Sequence, residues 1–94
     1  MITYKAMYKY LENGVHAEVL DFPGVITSAP EIKAARRLLA SALTDIAETN
    51  LINGESLPKP DPMISDPEAD IEEPIHLVLT ASTKVEVVVL DSTD

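Results

Sequence analysis

"KYLENGVHAEV", residues 9 to 19, decides the fold. Asn13-Gly14 is the strongest short hairpin signal, because both residues tolerate the positive φ of a two-residue type I′ turn. The chain before it alternates. Ile2, Tyr4, Ala6, Tyr8 and Tyr10 fall on one face of a strand over residues 2 to 10, and Thr3, Lys5, Met7 and Lys9 on the other. With Asn13-Gly14 as the turn, Glu12 stands opposite Val15, Tyr10 opposite Ala17 and Tyr8 opposite Val19. The apolar sets of both strands then share one face. On the other face Lys9 opposes Glu18, a favourable cross-strand pair.

Downstream, "DFPGVIT" (residues 21 to 27) turns the chain at Pro23-Gly24, and "VIT" reads as a short third strand. Asp21 and Phe22 form the corner, with the lone phenylalanine wedged against the following helix. Ser28 or the Ala29 backbone is expected to cap that helix. Pro30 falls in its first turn, where a missing N–H costs nothing. Glu31 lies near the positive helix end. Ile32, Ala35, Leu39, Ala42, Leu43 and Ile46 then recur every three or four residues, one apolar stripe running to about residue 50. "NLINGE" supplies the stop.

"LPKPDP" is an extended linker stiffened by prolines, and "MISDPEADIEEP" continues it as an acidic arm. No internal repeat stands out. "IHLVL" reads as a strand, and "TKVEVVVL" as a further strand or a short helix capped by Thr80 or Ser82. The expected division is a β-β-β-α core over residues 1 to 60, a linker over 61 to 74, and one or two strands over 75 to 90. The fold class is α+β: a two-layer sandwich with one helix on an antiparallel sheet.

The chain has 94 residues, no cysteine and 4% aromatics, so one small aliphatic core must hold it without disulfides or thiolate chemistry. No segment approaches the roughly 20 apolar residues that cross a bilayer, and "MITYKAMYKY" has no signal pattern. A soluble cytoplasmic protein without membrane contact is the expectation. Net charge is −9, and Asp61, Asp66, Glu68, Asp70, Glu72 and Glu73 fall in a stretch without a base. Such a chain repels a phosphate backbone and suits a basic protein partner. Asp66, Glu68 and Asp70 are the candidate contacts; the plainer reading is a solvated, solubilising segment.

Catalytic constellations are not evident. His16 and His76 stand alone in strands, no serine sits in a G-x-S-x-G elbow, and the glycines are scattered turn markers. Neither a metal nor a cofactor is expected, and the chain does not read as an enzyme.

The order of parts resembles the HicB family of antitoxins. The resemblance rests on "GVHAEVLDFPGVIT" from Gly14 to Thr27 and on "NGESLPKP" from Asn53 to Pro60, and it continues in "EEPIHLVL". Val15, Leu20, Ala29 and Glu31 depart from the family's usual residues, the last at its capping threonine. "TKVEVVVLDSTD" is too short and too acidic for the DNA-binding domain that many members carry. The resemblance implies a partial ribonuclease H-like fold without ribonuclease activity. It implies a small basic mRNA-cleaving toxin of the HicA type as partner, whose catalytic histidine and RNA surface the antitoxin covers. It also places the Asp21–Phe22 corner close to the partner surface. The alternatives are a ribonuclease H-like enzyme and an interaction module for an unnamed partner. Self-association to a dimer or larger is expected through the apolar strands Ile75 to Leu79 and Val85 to Leu90. Specific DNA binding by the chain alone is not expected, because Lys84 is the only base after the fourth strand.

Overall fold

In the computed structural model, which describes residues 1–79, the elements are β1 (Ile2–Leu11), β2 (Gly14–Val19), β3 (Ile26–Ala29), α1 (Ile32–Ile52) and β4 (Ile71–Leu77). The sheet order is β3-β2-β1-β4, and every neighbouring pair is antiparallel. α1 covers one face. Tyr4, Ala6, Tyr8, Val15, Ala17 and Val19 of the sheet pack there against Ala35, Leu39, Leu43 and Ala47 of the helix. This is the expected α+β two-layer sandwich. Alanines hold both ends of the inward line of α1 and leucines its middle.

The hairpin faces are as expected, but the register is not. Leu11 pairs with Gly14, so Glu12 and Asn13 make the turn; Tyr10 then meets Val15, Lys9 meets His16 and Tyr8 meets Ala17. The shift is even, so every side chain keeps its face. Gly14 is used differently from a turn glycine. Its φ is +154°, and a Cβ there would lie 2.6 Å from the Ala29 carbonyl oxygen. The missing side chain lets β3 close against the start of β2. Gly14→Ala must move backbone and strain φ together, and is expected to cost about 2–4 kcal/mol. Urea titration checks this; a loss within experimental error would show that β3 yields freely.

Two further boundaries differ from expectation. The cap of α1 is Glu31, in extended backbone (φ −149°, ψ 167°), and its Oε1 accepts from Ala34 N at 2.8 Å. Ser28 instead sits within β3, and Pro30 precedes the cap rather than entering the helix. A glutamate can span from cap to N3 and do the work of the shorter capping residues. The helix ends as read: Gly54 has φ +77°, and its N–H bonds to Leu51 O at 3.1 Å.

β4 begins at Ile71, so "IEEP" belongs to the sheet and not to the linker. Pro74 is tolerated for a geometric reason. Its partner Lys5 directs both backbone groups toward β2, since Lys5 O accepts from Leu20 N at 2.9 Å. Lys5 and Pro74 are therefore a non-hydrogen-bonded pair, and the proline nitrogen faces away from β1, where no ladder bond between described strands is lost. The strand-or-helix reading of residues 80–90 and the edge at Val85 to Leu90 lie outside the described residues.

Candidate functional site

The corner is built from a broken ladder. β2 leaves the sheet after Val19, and Leu20 N still donates to Lys5 O. Lys5 N would ordinarily donate back to Leu20 O. It donates instead to Asp21 Oδ1 at 2.8 Å. The other oxygen, Asp21 Oδ2, accepts from Asp61 N at 3.0 Å. Asp21 is buried, the only polar side chain so placed among the described residues. Beside it Phe22 is 2% exposed and meets Tyr4 edge-to-face, with ring centroids 5.3 Å apart. The Tyr4 hydroxyl in turn donates to Pro58 O at 2.7 Å. One aspartate and one aromatic pair thus bind the proline segment to the point where β2 departs. The corner is structural, and both of its candidate site residues face inward.

Residues 61 to 70 form a built arm, not an extended linker. Asp61-Pro62-Met63-Ile64 and Asp66-Pro67-Glu68-Ala69 are two turns of one design. In each, the aspartate carbonyl accepts from the fourth residue, at 3.1 Å from Ile64 N and 3.0 Å from Ala69 N. In each, Oδ1 of the aspartate also accepts from the third residue, at 3.0 Å from Met63 N and 2.9 Å from Glu68 N. Proline follows the aspartate because its fixed φ suits that position of the turn. The signal is legible as Asp-Pro repeated five residues apart.

The arm crosses the sheet face opposite α1. Lys5 Nζ donates to Ile64 O at 2.7 Å and lies 3.7 Å from Glu72. Lys9 Nζ meets Glu68 at 2.6 Å, which raises the lysine pKa. Between them on the same face, Met7 is 2% exposed although it lies away from the helix. The arm ends in the sheet: Asp70 N donates to Tyr8 O at 2.9 Å, and Asp70 Oδ2 accepts from Tyr10 N at 2.7 Å. On the helix side Glu73 takes both ends of the Arg36 guanidinium at 2.9 Å, and Arg36 lies 5.7 Å from the Tyr8 ring centre. Burial, and then the Glu73 carboxylate, push the Tyr8 phenol up to about 12.

The six acids from Asp61 to Glu73 divide evenly by the kind of partner they have within the chain. Glu68, Glu72 and Glu73 are paired with bases, whereas Asp61, Asp66 and Asp70 accept from neutral backbone amides. None of those three meets a base among the described residues, and the second oxygen of each has no hydrogen-bond partner there. Of the five expected contact residues, Asp66, Glu68 and Asp70 are brought together on the arm, and Asp21 reaches the arm only through Asp61 N.

A cleft of about 560 Å³ opens between the proline segment and β4, lined among others by Tyr4, Lys5, Asp21, Pro60, Pro62 and Pro74. Its walls are mainly apolar, and the Lys5 and Asp21 side chains in it already have partners within the chain. On the open half of the same sheet face, His16 Nε2 and Glu18 Oε2 are 2.7 Å apart, while His76 Nδ1 meets Thr3 Oγ1 at 2.9 Å on β4. Among the described residues no three potential metal ligands come together, and no helix is long and apolar enough to cross a membrane.

The arm's grip on the sheet depends on pH through Glu72. Its ionised carboxyl accepts from Asp66 N at 2.8 Å and from Ser65 Oγ at 3.0 Å. The Asp66 amide is the main cause that holds its pKa below the usual glutamate value; Ser65 and Lys5 add to it, and desolvation opposes. A lowered folded value means that ionised Glu72 stabilises the arm above the ordinary glutamate range. That contribution is lost as pH falls through the lowered value. In an NMR acid titration, the Ser65 and Asp66 amides should move with a midpoint below the ordinary glutamate value. A midpoint at or above it would mean that the arm is not held this way.

No family model matches the chain, and no curated protein matches it.

Proposed function

We propose that the chain is a HicB-like binding protein that neutralises a small basic, RNA-cleaving partner of the HicA type, and that it performs no catalysis of its own. One observation carries the reading. The two stretches on which the resemblance rests meet in one assembly: Tyr4, packed on Phe22 of the first, donates to Pro58 O of the second, and Asp21 of the first accepts from the Asp61 amide directly after the second. Their joint occurrence in the sequence has a physical cause, which separate turn motifs would lack. The charge supports the same reading. Asp61, Asp66 and Asp70 are fixed by their own hydrogen bonds, so they present carboxylates to a cationic surface with little side-chain entropy left to lose.

Co-expression with a small basic RNA-cleaving protein of the HicA type, taken from beside its gene where one is encoded there, tests this. Rescue of growth and a complex on a sizing column are expected. Continued toxicity with no co-elution would end the proposal. The triple variant Asp61→Asn, Asp66→Asn, Asp70→Asn keeps every acceptor oxygen that shapes the arm and removes only charge. It should leave the fold unchanged and slow association with the basic partner by about tenfold or more at low salt. Unchanged association would place the contact elsewhere.

A further inference from the structure

The two outer edges of the sheet that the described residues form are not alike. Along β4 the groups facing outward belong to Glu72, Pro74 and His76, because Thr3, Lys5 and Met7 opposite them direct their own bonds toward β2. A missing N–H and a charge blunt that edge. Along β3 the geometry is fixed by Val19 N, which donates to Val25 O at 2.9 Å. Residues 25, 27 and 29 therefore point at β2, and the N–H and C=O groups of Ile26 and Ser28 point outward. These four groups have no partner among the described residues. The stretch Phe22 to Pro30 carries no charge in a chain of net −9.

Apolar side chains flank those open groups on both layers. Ile26 is 54% exposed on the sheet face away from α1. On the helix, Arg36 reaches Glu73 of β4. At about 100° per residue, Leu38 then falls on the opposite flank of the inward line Ala35–Leu39–Leu43, above the β3 edge. It is 41% exposed.

We infer that the β3 edge is a self-association surface, on which a second copy of this chain pairs its own β3 antiparallel across a two-fold axis. The pairing joins Ile26 with Ser28 of the partner copy twice over, places Thr27 against its equivalent at the axis, and makes one continuous sheet of two protomers. Leu38 meets its equivalent on the helix layer. Charge selects a second copy. Two chains of net −9 repel almost everywhere, and a neutral edge is where they approach at least cost. The expected contact at Ile75 to Leu79 is replaced, because Pro74 and Glu72 stand on that edge. The inference does not rest on the antitoxin reading.

Light scattering over a concentration series tests it, together with exchange of the backbone amides. The wild-type chain is expected at twice its monomer mass, and the Ile26 and Ser28 amides should lose protection on dilution. Ile26→Lys places two like charges beside the axis and should weaken the dimer by at least tenfold, whereas His76→Lys on the other edge should leave the mass unchanged. A monomer throughout the series overturns the inference. So does a dimer whose Ile26 and Ser28 amides exchange freely, or one lost in His76→Lys and kept in Ile26→Lys. The amide measurement on the wild-type chain stands even if a variant does not fold.

Discussion

Replacing Phe22 with alanine is expected to lower the free energy of unfolding by about 3–5 kcal/mol, a large part of the roughly 5–14 kcal/mol available to a chain of this size. Phe22 is the only phenylalanine, is 2% exposed, and stands edge-to-face with Tyr4. The core cluster it belongs to is rich in small residues, Ala6, Ala17, Val19, Val25, Ala35 and Ala47 among them, which have no long side chain to refill the space. The cavity should therefore persist instead of collapsing. Phe22→Leu keeps most of the volume and should recover much of the loss. Chemical denaturation of both variants decides the point. A loss under about 1 kcal/mol for the alanine variant would mean that the corner is not part of the core.

Asp21→Ala should cost a similar amount, about 3–5 kcal/mol, by a different route. Each oxygen accepts one backbone N–H, from Lys5 and from Asp61. Hydrogen bonds to a charged acceptor contribute about 1.5–3 kcal/mol each, and the donors left behind are partly buried. Asp21→Asn is the sharper test. It keeps one acceptor and turns an amide NH₂ against the other N–H, so it should rescue little. If Asp21→Ala were instead harmless to stability and damaging to partner binding, the corner would be a contact surface and not a clamp.

The legibility of this fold follows physical period. Alternation by two fixes which face of β1 and β2 is apolar, and that survives a register error of two. The register itself does not, because Gly14 looks like a turn glycine and is consumed by a close approach to Ala29 that only tertiary structure creates. The helix stripe is legible from Ile32 to Ile46 for the same reason as the strands. Its cap is not, since Glu31 reads as a charge near a helix end and Ser28 as the better capping residue. The arm is legible only in part. The six acids from Asp61 to Glu73 read as a partner surface, and each also has a task within the chain: turning the backbone at Asp61 and Asp66, holding Tyr10 at Asp70, and pairing with Lys9, Lys5 and Arg36 at Glu68, Glu72 and Glu73. The repeated Asp-Pro pair was the signal for the first two. For the pairs across the sheet no local signal exists, because their partners lie roughly 60 residues earlier at Lys5 and Lys9 or on α1.

The central claim is that the corner and the arm form one unit through Asp21. Amide hydrogen exchange read at Lys5 and Asp61 tests it most directly. Both amides donate to the same carboxylate, so both should be protected in the wild-type chain at neutral pH. In Asp21→Ala, held under conditions where Leu39 and Leu43 stay protected, both should become fast together. An Asp61 amide that exchanges at the rate of an unstructured peptide while Lys5 remains slow would contradict the account, because the arm would then be tethered to the domain without being folded onto it.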